Sequence, residues 1–79
     1  LLFKGENMDT LAVFRSRSEA LLIFRRISNA RIACSTINTP VALGYGCGIS
    51  IIFHHSQMEK IKLIIQNCHS TSFIGFFNK

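Results

Sequence analysis

Cys47 stands between Gly46 and Gly48, immediately ahead of the apolar run Ile49 to Phe53. Glycine on both sides removes steric cover and opens the φ > 0 half of backbone space, so the sulfur can face solvent or a partner. A cysteine that only fills core space sits more often inside a periodic apolar stretch. The competing reading is a tight turn whose cysteine is simply a small residue. A thiol becomes reactive when nearby cations or helix amide groups stabilise the thiolate. Arg15 and Arg17 are the candidates for that field, with the amides of a helix beginning near Ser16, and His69 is the candidate proton carrier. Each has a plainer role open to it: arginines solvated at the surface, and a histidine that closes a turn.

Three cysteines and three histidines are enough ligands, by count, for a metal. Cys34, Cys47 and Cys68 lack C-x-x-C spacing, however, and zinc sites normally show close ligand pairs. Only His54 and His55 are close, and neighbours on a strand point to opposite faces. No metal and no other cofactor is expected. An odd number of thiols without such pairs suits a reducing compartment better than a disulfide framework.

The elements that must position these residues can be read along the chain. Thr10 to Phe14 reads as a strand. Ser16-Arg17-Ser18-Glu19 has capping-box spacing, in which Ser16 bonds the Glu19 amide and Glu19 reaches back to Ser16. The helix then runs to about Ser28 with Ala20, Phe24 and Ile27 on one face, flanked by Leu21 and Ile23, and Asn29 can end it in a left-handed conformation. Arg31 to Ile37 reads as a second strand, and Ile49 to Phe53 as a third. Ser56-Gln57-Met58-Glu59 repeats the capping-box signal before a helix with Met58, Ile61, Ile65 and Cys68 on one face. Ser72 to Phe77 is the last strand.

Two right-handed strand–helix–strand units make the α+β, ferredoxin-like split β-α-β sandwich. Its four antiparallel strands take the order 4-1-3-2 and carry both helices on one face. That topology gathers Cys47, Arg15, Arg17, the Ser16 helix start and the Cys68-His69 corner at one end. His54 and His55 fall at the other end, so the topology argues against a site joining them to Cys47.

Seventy-nine residues make a single domain, expected over 9–79. Residues 1–8 read as a poorly ordered upstream extension or cloning remnant, with Met8 as the natural start. No run approaches the roughly 18 apolar residues of a membrane helix, so a cytoplasmic protein without membrane association is expected. The net charge of +5 favours an acidic partner, although Arg25 and Arg26 fit a solvated helix face. RNA-recognition domains share the fold, but Cys47 and Ile49 stand where their stacking rings are needed, so no specific nucleic acid is expected. Phe73, Ile74, Phe76 and Phe77 make the last strand apolar on both faces. The sheet face away from the helices is otherwise bare in such a fold and needs cover. A homodimer through that face or the Phe73–Phe77 edge is the expectation, and the plainer reading is cover by the chain's own tail, with Phe76 and Phe77 curling back.

The segment Thr10 to Ser16, the Asn38-Thr39-Pro40 step, the Cys47-Gly48 pair and the closing Phe73-Ile74-Gly75-Phe76-Phe77 resemble the small bacterial proteins labelled "putative Se/S carrier protein-like". The likeness runs from about Thr10 to Phe77. It implies a small thiol protein that accepts a sulfane sulfur or selenium atom and passes it on, with donor and acceptor proteins as partners. Only Cys47, with Gly48 beside it, is carried over through the resemblance. The glycine-rich approach Leu43-Gly44-Tyr45-Gly46 departs from the more polar approach of relatives. A carrier needs an exposed, stabilised thiolate but no acid–base pair, so a carrier or binding domain is expected rather than an enzyme with its own turnover. The alternative is a non-catalytic homodimeric interaction or small-anion-binding module in which Cys47 is incidental.

Overall fold

Residues Thr10–Phe14 form β1 at the centre of the sheet, and every one of the five is buried. Alternation sends Ala12 and Phe14 toward the helices and Leu11 and Val13 to the opposite face. The structure, a computed structural model, describes residues 8–40, 43–44 and 48–78. In chain order the further elements are α1 (Arg17–Asn29), β2 (Cys34–Asn38), β3 (Ile49–Phe53), a 3-10 turn (His55–Gln57), α2 (Met58–Asn67) and β4 (Phe73–Asn78). The sheet is antiparallel with strand order β2-β3-β1-β4, the split β-α-β arrangement expected from the sequence.

Between helices and sheet lies the main core, built on Ala12, Phe14, Ala20, Ile23, Ile27, Ile51, Phe53, Ile61 and Ile65. In α1 the buried stripe is Ala20, Ile23 and Ile27, with Phe24 half-buried and Leu21 turned out to 41% exposure. The stripe thus centres one position away from Phe24, because Ile23 is the residue that meets the sheet. Rings of Phe14, Phe73, Phe76 and Phe53 make a chain of contacts, with centroid separations of 5.3, 5.0 and 5.8 Å. Tilted and edge-on pairs of this kind add to the area they bury.

β4 reaches both faces through a bulge. Val13 pairs with Gly75 while Phe14 pairs with Phe73, so Ile74 is an extra residue on β4. Phe73 and Phe76 therefore both face the helices, and Ile74 and Phe77 both face away. On that far face Leu11, Val13 and Ile52 form a second buried cluster, packed by Met8, Ile37, Leu43, Ile74 and Phe77. Leu11 and Val13 are fully buried within one chain. The face expected to be bare has its own small core.

Two local expectations are corrected. Asn29 is the last residue of α1, but the left-handed residue that closes the helix is Arg31, at φ 63°. Its amide donates to Ser28 O at 2.9 Å and that of Ile32 to Ile27 O at 3.3 Å, the paired bonds of a Schellman ending. That ending uses Arg31 and Ile32, so β2 begins at Cys34 rather than at Arg31. The second capping box does not form: Ser56 lies in the 3-10 turn, and Gln57 precedes α2 without a side-chain cap.

Candidate functional site

Arg15 and Arg17 are both exposed where β1 gives way to α1. The Arg15 amide donates to Ser72 O at 2.8 Å, which ties this turn to the approach to β4. Ser16 caps α1 as expected, its Oγ accepting the Glu19 amide at 3.2 Å. Glu19 does not complete the box. Its Oε1 instead accepts the Ser70 hydroxyl at 2.6 Å, the Ser72 amide at 3.0 Å and the Ser72 hydroxyl. These donors hold its carboxyl below the ordinary range, Ser70 contributing most. The sequence reading missed this role because capping-box spacing supplied a nearer partner. The signal was the hydroxyl-rich Ser70-Thr71-Ser72, which topology brings to the helix start.

The Cys68-His69 corner belongs to the same end. Cys68 caps α2 half-buried, and His69 follows at φ 53°, exposed, with its amide donating to Gln66 O at 3.1 Å. Gly48 precedes β3 at φ 95°, and nothing stands within 4 Å of where a Cβ would lie. Backbone conformation, not space, requires glycine there. Its carbonyl accepts the Thr39 amide at 2.9 Å, and Thr39 Oγ1 lies 2.7 Å from the buried Ser50 hydroxyl. The pairing of Val13 with Ser50 puts the start of β3 beside the end of β1. Arg15, Arg17, Gly48 and His69 thus share one end of the sandwich. Cys47 and Gly46, on which the thiol expectation rests, lie outside the described residues. Of the other thiols, Cys34 packs half-buried against the main core, 3.6 Å from Ser28 Oγ. Burial pushes its pKa up, which makes it a poorer nucleophile at neutral pH.

At the opposite end the structure corrects the picture of His54 and His55 pointing apart. The strand stops at Phe53, and the two rings stack with centroids 4.3 Å apart. Asp9 Oδ1 accepts the His55 amide at 2.9 Å, and Oδ2 lies 2.8 Å from His55 Nδ1. The side-chain bond to His55 is the main reason that the Asp9 carboxyl is lowered to about 2. An ionised carboxylate only accepts, so His55 carries a proton on Nδ1. His54 Nδ1 instead accepts the Ser56 amide at 3.2 Å. Potential ligand atoms of Asp9, His54 and His55 lie within 4.8 Å of one another, so these residues could hold a metal ion. The two rings are tilted by 31°.

The model of the family described as "Putative Se/S carrier protein-like" matches residues 9–71. The chain belongs to this family. The match runs from just before β1 to the approach to β4, and the Phe73–Phe77 segment that shared in the resemblance lies beyond it. No curated protein and no solved structure matches the chain. Among the described residues, no helix of this Se/S carrier family member is long and apolar enough to cross a membrane.

Proposed function

We propose that this protein carries a sulfane sulfur or selenium atom on Cys47 as a persulfide or perselenide. Membership of the Se/S carrier family over residues 9–71, a span that includes Cys47, is the observation that carries the reading. The Cys47 thiolate attacks the outer sulfur of a donor persulfide. A new S–S bond forms on Cys47, the donor S–S bond breaks, and the donor leaves as a thiolate. The electron count is conserved and no external oxidant or reductant enters. Exposed Arg15 and Arg17 supply the positive field for the anion, with His69 as a further polar group at the same end of the sandwich. The basic surface docks acidic donor and acceptor proteins.

The test is the pH dependence of alkylation at each cysteine, read by mass spectrometry on the native protein. Cys47 should react well below the ordinary thiol pKa of about 8.5 while Cys34 stays protected, and Cys47→Ala should abolish persulfide uptake with the fold intact. A Cys47 that reacts as an ordinary thiol, together with uptake that survives its replacement, would leave the interaction module as the better reading. A homodimer is compatible with either reading, and sedimentation of the intact chain tests it.

A further inference from the structure

A groove of about 410 Å³ opens at the end of the sandwich opposite Arg15 and His69, between the α1–β2 turn and the first turns of α2. Its volume lies in the range of small-molecule sites. Ile32 and Ile64 line it, together with Leu63, which is 58% exposed. Arg31 and Lys60 stand among them, with His54 at the side. Among the described residues that line it, none is acidic. The Asp9 carboxylate, near His54, is already taken up by His55. An exposed leucine beside two cations that make no ion pair among the described residues is complementary to a ligand with an anionic head and an apolar body. The backbone adds an independent observation. Arg31, a residue that lines the groove, holds the left-handed position that glycine fills most easily.

We propose that this groove binds a small amphipathic oxyanion. Arg31 and Lys60 take the carboxylate or phosphate head, and a short aliphatic body lies over Ile32, Leu63 and Ile64. The planar guanidinium of Arg31 suits two oxygens of either head group. The site lies at the far end from the proposed carrier chemistry, so it stands or falls separately from Cys47.

The test is a heteronuclear NMR titration of the full chain with octanoate, octyl phosphate, inorganic phosphate and octylammonium. Octanoate or octyl phosphate should give saturable shifts at the amides of Arg31, Ile32, Lys60 and Ile64 and at the Leu63 methyls. Whichever of the two binds more tightly identifies the head group. Inorganic phosphate, lacking the body, and octylammonium, with the wrong charge, should each bind at least about tenfold more weakly. Arg31→Gly combined with Lys60→Gln should weaken octanoate and octyl phosphate by about tenfold or more. Glycine accepts the backbone conformation at 31, so that variant keeps the turn. Shifts centred elsewhere, equal binding of octylammonium, or affinity unchanged in the double variant would overturn the proposal.

Discussion

The Glu19 carboxylate, in the first turn of α1, accepts the backbone amide of Ser72 at 3.0 Å across 53 residues of sequence. A side chain whose spacing suits a local cap is spent on fastening the last strand to the first helix. Glu19→Ala should therefore lower stability by about 1 kcal/mol, a modest figure because the site is partly solvated. Urea unfolding should show a lower midpoint with an unchanged slope.

The same bond makes stability depend on pH. The folded Glu19 pKa lies below its ordinary value of 4.5. Its contribution is complete above that unfolded value and is lost as pH falls through the folded pKa. Urea midpoints followed down the acid range should fall less steeply in Glu19→Gln than in the parent chain.

Asp9 is lowered to about 2, first through its side-chain bond to His55. Replacing His55 with alanine should return the carboxyl toward its ordinary 3.8. The carboxyl carbon shift of Asp9, followed by NMR against pH, measures this, and a midpoint that stays near about 2 would contradict the assignment.

Left-handed backbone at Arg31 and His69 predicts that glycine is tolerated or preferred at both. Arg31→Gly and His69→Gly should each raise stability by about 0.5–1 kcal/mol, the relief of Cβ crowding less the entropy of a new glycine. Alanine at the same positions should bring no such gain, as thermal or urea unfolding will show.

The far face of the sheet is a core in its own right if Leu11 matters as much as Ile23. Both are fully buried, one on each side of the sheet. Leu11→Ala and Ile23→Ala should each cost about 2–5 kcal/mol. A cost for Leu11→Ala within about 0.5 kcal/mol would mean that the face behaves as open surface.

Much of the fold was legible because it rests on local periodicity. β1 and β3 run over the short apolar stretches that read as strands, Thr10–Phe14 and Ile49–Phe53, and Ser16 caps α1 because its hydroxyl needs only a neighbour three residues on. The errors fall where two local solutions compete. Asn29 and Arg31 could each end α1, and the Ile32–Ile27 bond favours the later ending. Ser56 had the spacing of a cap, but a 3-10 turn with His54 accepting the Ser56 amide takes its place. At the candidate site, Arg15, Arg17 and His69 were placed at one end by strand order alone.

The sequence by itself determined the order of strands and helices and the end of the molecule to which Arg15, Arg17 and His69 go. These follow from side-chain period and from the few ways two strand–helix–strand units can close. Tertiary structure decided the rest: that Glu19 meets Ser70 and Ser72, that Ile74 bulges so Phe73 and Phe76 share a face, and that His54 stacks on His55 beside Asp9. Each joins groups far apart in the chain or depends on a break in strand geometry. Local spacing carries no information about either, because such contacts are chosen only when the sheet and helices pack.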